Sequence, residues 1–106
     1  MNVPPGACDC HVHVFGPAAR YPLAPDRAYT PPEASLEDLL RTEEKLGMQR
    51  MVLVEPSVYG ADHSCMLDAL KALGVRARGV AVVDEFSDLE ALHAAGVRGA
   101  RVNLQT

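Results

Sequence analysis

Three times along the chain a short apolar run follows a glycine that ends an amphipathic stretch. Leu46-Gly47-Met48 leads into Met51-Val52-Leu53-Val54, Leu73-Gly74-Val75 into Gly79-Val80-Ala81-Val82-Val83, and Ala95-Gly96-Val97 into Ala100-Arg101-Val102-Asn103-Leu104. Short, largely β-branched runs are what buried parallel strands look like. Each glycine stands where a helix would close in a left-handed cap. Before the glycines, Leu36, Leu39, Leu40 and Leu46 form one helical stripe, Met66, Leu67, Leu70 and Leu73 a second, and Leu89, Leu92 and Ala95 a third. Ser35-Leu36-Glu37-Asp38 and Ser87-Asp88-Leu89-Glu90 read as capping boxes, and Asp62 as the cap of the middle helix.

With an N-terminal run around Cys8–Val14, the order is β-α-β-α-β-α-β. Strands are predicted over 7–14, 50–56, 78–84 and 99–104, and helices over 35–46, 62–73 and 87–95. Alternation of this kind makes a parallel sheet with right-handed crossovers. The fold class is α/β: four parallel strands with three helices, the first half of an eight-stranded (β/α)₈ barrel. Residues 1–106 are expected to be a single domain and the N-terminal half of such a barrel. Its two open strand edges would invite self-association. The segment from Phe15 to Ala34, with prolines at 17, 22, 25, 31 and 32, is too long for an ordinary connection and should lie over a site.

The chemistry concentrates in Asp9-Cys10-His11-Val12-His13. In a regular strand Asp9, His11 and His13 face one way, and Cys8, Cys10 and Val12 the other, against the helices. Two imidazoles on one face at the C-terminal end of a barrel strand can reach one metal ion or one substrate. An isolated His-x-His is also a common accident, and either ring could be a polar residue in a loop mouth. In the fourth strand Ala100, Val102 and Leu104 form the helix-facing side, so Arg101 and Asn103 face the interior. An unpaired guanidinium there is costly, and a ligand carboxylate would be a bidentate partner; the structural alternative is a salt bridge, with Glu55 as a candidate. Ser57 follows the second strand and can bond a substrate oxygen, or simply serve as a turn residue after Pro56. His63 and His93 read as surface or capping residues.

Composition narrows the classes. A net charge of −4 with no basic stripe argues against nucleic acid. The longest apolar runs are too short to cross a bilayer, and Met1-Asn2-Val3-Pro4-Pro5 does not read as a signal peptide. Three cysteines argue against a disulfide framework and fit a reducing cytoplasm. Cys8, Cys10 and Cys65 lack the usual zinc spacings and read better as small apolar residues.

Asp9-Cys10-His11-Val12-His13-Val14-Phe15-Gly16-Pro17, Tyr21-Pro22, Ala24 to Pro31, Leu53-Val54-Glu55-Pro56-Ser57-Val58-Tyr59-Gly60-Ala61-Asp62 and Gly96 to Asn103 together resemble the amidohydrolase superfamily, and within it the lactone-hydrolysing branch. That resemblance implies a (β/α)₈ barrel hydrolysing esters, lactones or amides, with roles in degrading aromatic compounds. It implies His11 and His13 as catalytic residues, acting directly or as ligands of one divalent metal, zinc or manganese; the lactonase branch resembles a site that works without bound metal. Tyr29 resembles a substrate-contacting tyrosine, with a loop anchor as the alternative. A further histidine and a catalytic aspartate are expected beyond Thr106. The expected activity is water attack on a carboxylated lactone, with Tyr29, Ser57 and Arg101 binding the substrate. The rivals are a metal-dependent decarboxylase of the same superfamily and a non-catalytic half-barrel that binds or assembles.

Overall fold

The computed structural model describes residues 3–102. Four strands, β1 (Cys8–Val12), β2 (Arg50–Val54), β3 (Ala77–Val82) and β4 (Val97–Arg101), alternate with three helices, α1 (Leu36–Leu46), α2 (Ser64–Leu73) and α3 (Leu89–Ala94). The strands form one sheet in the order β1-β2-β3-β4, and every neighbouring pair is parallel. This is the architecture of the first half of a (β/α)₈ barrel. The fourth strand begins two residues earlier than expected, and Asn103 and Leu104 lie outside the described residues.

The core sits between the sheet and the helices. Met51, Leu53, Ala77, Ala81 and Val97 face Met66, Ala69, Leu70, Leu73 and Leu92. Each of the valine, leucine and methionine side chains, fully buried, stabilises the fold by about 1.5–3 kcal/mol relative to exposure. Helix α1 contributes Leu36, Leu39 and Leu40 to the margin of this core, while Leu46, expected in the stripe, is half exposed. Its place is taken by Glu43, seven residues after Leu36 and 2% exposed. Helix α3 is only six residues long. It covers the start of β4 through Leu92 and leaves Ala100 and Val102 exposed, so the apolar face expected for β4 is only partly clad.

N-terminal capping departs from expectation in two places. Ser35 and Asp38 make the reciprocal box at α1. At α3 the cap is Asp88, whose carboxylate accepts from the Ala91 amide, while the Ser87 hydroxyl is drawn to Asp84 instead. At α2 the cap position is His63; Asp62, one residue earlier, accepts from the Ser64 amide and hydroxyl. Gly47 takes the left-handed conformation at φ 80°, ψ 16°, and its amide reaches the carbonyls of Glu43 and Glu44. Gly74 has positive φ but ψ −128°, and the chain passes into a 3₁₀ turn over Gly74–Arg76 before β3.

The long loop is pinned at its base, where Phe15 and Ala34 exchange both backbone hydrogen bonds at 2.9 and 2.8 Å. Along its course the Tyr21 hydroxyl donates to Asp68 on α2 at 2.5 Å, and the Ala24 amide donates to the Val58 carbonyl at 2.7 Å. The loop is therefore fastened to α2 and to the 3₁₀ turn over Ser57–Tyr59 that follows β2.

Candidate active site

The parity of β1 is broken by a bulge. Asp9 pairs with Met51 and Val12 with Leu53, so β1 uses three steps where β2 uses two. The extra residue changes which face each side chain meets. Asp9 shares the face of buried Met51 and lies against Glu43 of α1. Val12 and Val14 pack on the same helix-side core. His11 and His13 alternate with these valines and fall on the opposite, inner face, with ring centroids 5.2 Å apart and planes at 88°. The expected grouping of Asp9 with the two histidines is thus wrong, while the pairing of His11 with His13 stands. Cys8 is half-buried and Cys10 exposed, and neither belongs to the helix-side core expected for them.

His13 is held from β2: its Nδ1 donates to the Val54 carbonyl at 2.6 Å. A carbonyl only accepts, so Nδ1 carries the proton. The outward Nε2 of neutral His13 is then an acceptor, and it donates only when the ring is an imidazolium. Phe15 backs this ring at 5.9 Å between centroids.

Arg101 ends β4 and pairs in register with Val82, whose parity is that of the inner face. Its Nη1 donates to the backbone carbonyl of Glu55 at 2.9 Å. The anticipated partner was the Glu55 carboxylate; it is the carbonyl instead, and this engages only one of the guanidinium's five donors. Ser57 lies just past β2 and opens the 3₁₀ turn, where its carbonyl accepts from the Gly60 amide. Tyr29 lies on the long loop, 47% exposed, and the aromatic ring contacts of His11 and His13 among the described residues are with each other and with Phe15.

At this end of the sheet Glu55 was anticipated only as a salt-bridge partner of Arg101, and His63 was not anticipated at all. Glu55 is 1% exposed, and its Oε1 accepts from the Val82 amide at 2.7 Å. Burial, more than any other cause, pushes its carboxyl up to about 8. His63 is no surface residue. Its side chain is 13% exposed, its Nε2 donates to the Val82 carbonyl at 2.6 Å, and it lies 3.8 Å from the Glu55 carboxyl. His93 is exposed, as expected.

A divalent metal needs more donors than this stretch supplies. His11 and His13 offer two nitrogens, and among the described residues no group of three histidine, cysteine or acidic side chains could hold an ion. Cys65 is buried on the helix side with its Sγ on the Val14 carbonyl, well apart in role from Cys8 and Cys10. The described residues do not complete a metal site by themselves.

The C-terminal ends of four parallel strands thus present two imidazoles, a guanidinium and a buried carboxyl, on a scaffold of the kind that barrel hydrolases use. Residues 8–106 match the amidohydrolase family, and the chain belongs to it. Two of its relatives are named as hydrolases. The chain is 47% identical over 106 residues to the 2-pyrone-4,6-dicarboxylate hydrolase of Comamonas testosteroni, covering 97% of this chain and 35% of that protein. It is 45% identical over 102 residues to the 4-sulfomuconolactone hydrolase of Rhizobium radiobacter, covering 93% of this chain and 34% of that one. In structure it resembles a probable 2-pyrone-4,6-dicarboxylic acid hydrolase of Acinetobacter baumannii solved with citric acid bound, with a TM-score of 0.85 at 30% identity over 93% of this chain and 38% of the other. The chain spans about a third of the length of the curated relatives it matches.

Proposed function

We propose that the protein carrying this chain hydrolyses a carboxylated lactone, of the 2-pyrone-4,6-dicarboxylate kind, by attack of water on the ring carbonyl. The observation that carries this reading is the placement of His11, His13 and Arg101 at one end of one parallel sheet. The relatives' names supply the substrate class. Arg101 has one donor on the Glu55 carbonyl, and the planar fork of N–H groups that a guanidinium carries suits a carboxylate. That contact holds a group that does not react. His13, its ring fixed by the Nδ1 hydrogen bond to the Val54 carbonyl, is proposed to act through Nε2 at the oxygen on which charge builds as water adds. His11 stands edge-on to it and completes the pair. Tyr29 and Ser57 are proposed to contact the substrate from the loop and from the turn after β2. The base that takes the water's proton is proposed to be an aspartate outside residues 3–102.

The chain is further proposed to be one domain and to work in the cytoplasm, in line with three free thiols, in the breakdown of aromatic compounds. Its partner is a small carboxylated molecule rather than nucleic acid, in keeping with a net charge of −4. Among the described residues no helix is long and apolar enough to cross a membrane.

The test is a graft. Residues 1–106 replace the matching segment of the Comamonas testosteroni hydrolase, and ring opening of 2-pyrone-4,6-dicarboxylate is followed with and without chelator. Turnover above the buffer rate is expected. A graft that folds by circular dichroism yet turns nothing over would defeat the proposal. The chelator arm separates imidazoles acting on substrate directly from imidazoles acting through an ion.

A further inference from the structure

Val82 is the last residue of β3 and the register partner of Arg101. Both of its backbone polar atoms are held by side chains from elsewhere in the chain. Its amide donates to Glu55 Oε1 at 2.7 Å, and its carbonyl accepts from His63 Nε2 at 2.6 Å. Glu55 in turn receives Arg101 Nη1 on its own carbonyl at 2.9 Å, and its amide extends the ladder to the Val80 carbonyl at 2.9 Å. The ends of β2, β3 and β4 and the start of α2 are therefore joined in one closed set of hydrogen bonds. Among the described residues, Oε2 of Glu55 is buried with no hydrogen-bond partner.

We infer that Glu55 and His63 are positioning residues for Arg101: by clamping Val82 from both sides they fix the strand end against which the guanidinium is seated. The inference rests on the reading of Arg101 as the carboxylate-binding residue. A glutamate immediately after a buried strand is costly to keep unless its oxygens have work, and here one oxygen takes the place of a ladder carbonyl. Burial raises the Glu55 carboxyl to about 8, with Asp62 adding to the rise and Arg101 opposing it. At neutral pH the side chain is therefore an uncharged acid that accepts from Val82 without competing for the guanidinium. Above about 8 it becomes a carboxylate, which would draw Arg101 away from a ligand. The titratable and charged groups facing it are His63 and Asp62 at the entry to α2, and Arg101 on β4. His13 on β1 is tied to the neighbouring Val54 carbonyl.

The experiment uses the grafted hydrolase, which carries residues 1–106 of this chain, and two readouts. One is the affinity for 2-pyrone-4,6-dicarboxylate by titration calorimetry from pH 6 to 9. The other is NMR of the Val82 amide, by hydrogen exchange, and of the Arg101 guanidinium, by its rotation rate. Glu55→Met is expected to speed Val82 exchange and free the guanidinium. It should also weaken binding about tenfold, the scale of one lost charge-assisted contact. His63→Ala should move the same signals less, and serves if Glu55→Met does not fold. Glu55→Gln, which keeps an acceptor on Val82, should rescue binding at pH 7 and abolish the loss of affinity above pH 8 that the unmodified chain shows. If Arg101→Met weakens binding while a folded Glu55→Met does not, the positioning role is wrong and the carboxylate reading stands. If Arg101→Met binds as well as the unmodified chain, or neither binds, the carboxylate reading fails. The NMR signals then decide the clamp alone: unchanged Val82 exchange and guanidinium rotation in Glu55→Met would overturn it.

Discussion

Glu43 gives the most direct handle on stability. It stands on the core-facing stripe of α1, is 2% exposed, and leaves Oε2 without a hydrogen-bond partner. Burial first, then the hydrogen bond and negative charge of Asp9, raise its carboxyl from 4.5 to about 7. The folded chain thus holds this proton more tightly than the unfolded chain. The stabilisation is complete below about pH 4.5 and is lost as pH rises through about 7. At about 1.36 kcal/mol per pKa unit the ceiling is roughly 3 kcal/mol, and sharing the proton with Asp9 lowers this to roughly 1–3 kcal/mol. Glu43→Gln keeps the shape and removes the titration. Urea unfolding followed by circular dichroism at pH 5 and pH 8 should find the two proteins within about 1 kcal/mol at pH 5. At pH 8 the variant should be the more stable by roughly 1–3 kcal/mol. Glu55 titrates in both proteins, so their difference isolates Glu43. Parallel pH dependences, or a variant less stable at pH 8, would refute the reasoning.

Other consequences follow from packing and exposure. A Cβ on Gly16 would come within 2.3 Å of the Tyr21 ring, so Gly16→Ala should release the Tyr21–Asp68 contact and cost about 1–3 kcal/mol, read as a lowered urea midpoint. Exposed Cys10 should react with a thiol reagent in the native state, whereas buried Cys65, its thiol pushed up chiefly by burial, should react only on unfolding; mass spectrometry of the labelled peptides checks this. Strands β1 and β4 each have one sheet neighbour among the described residues, and sedimentation at low micromolar concentration should find dimers or larger species. A compact monomer that unfolds cooperatively would count against that association.

Much of the architecture is legible in the chain because the repeated unit states its period plainly. The glycine-led runs assigned to β2, β3 and β4 begin within three residues of the observed strand starts. Arg101 follows Ala100 in alternation, as expected, but an extra residue between Val97 and Gly99 breaks the alternation earlier in β4 and, like the one in β1, is not visible in the sequence. The bulge in β1 is not legible, since one extra residue leaves no mark on the hydrophobic pattern of five, yet it moves Asp9 to the other face. Glu43 could have been found: it lies seven residues after Leu36 and four after Leu39, a stripe position occupied by a charge. His63 was masked by its place at a helix start. The informative signal was Asp62, which already satisfies the Ser64 amide and leaves the histidine free for Val82. Ser87 and Asp88 compete for one cap, and only the Asp84 hydrogen bonds decide between them.

The central claim is that Arg101 binds a carboxylate that does not react while His11 and His13 act on the carbonyl that does. Steady-state kinetics of the grafted hydrolase on 2-pyrone-4,6-dicarboxylate test it most directly. Arg101→Met should raise KM far more than it lowers kcat, because a contact made equally in ground and transition states is lost. The expected fall in kcat/KM is about 10- to 150-fold, the equivalent of roughly 1.5–3 kcal/mol. His11→Ala and His13→Ala should instead lower kcat. An Arg101→Met variant with unchanged KM, alongside histidine variants of full activity, would contradict both assignments and put a non-catalytic role for this sheet end in their place.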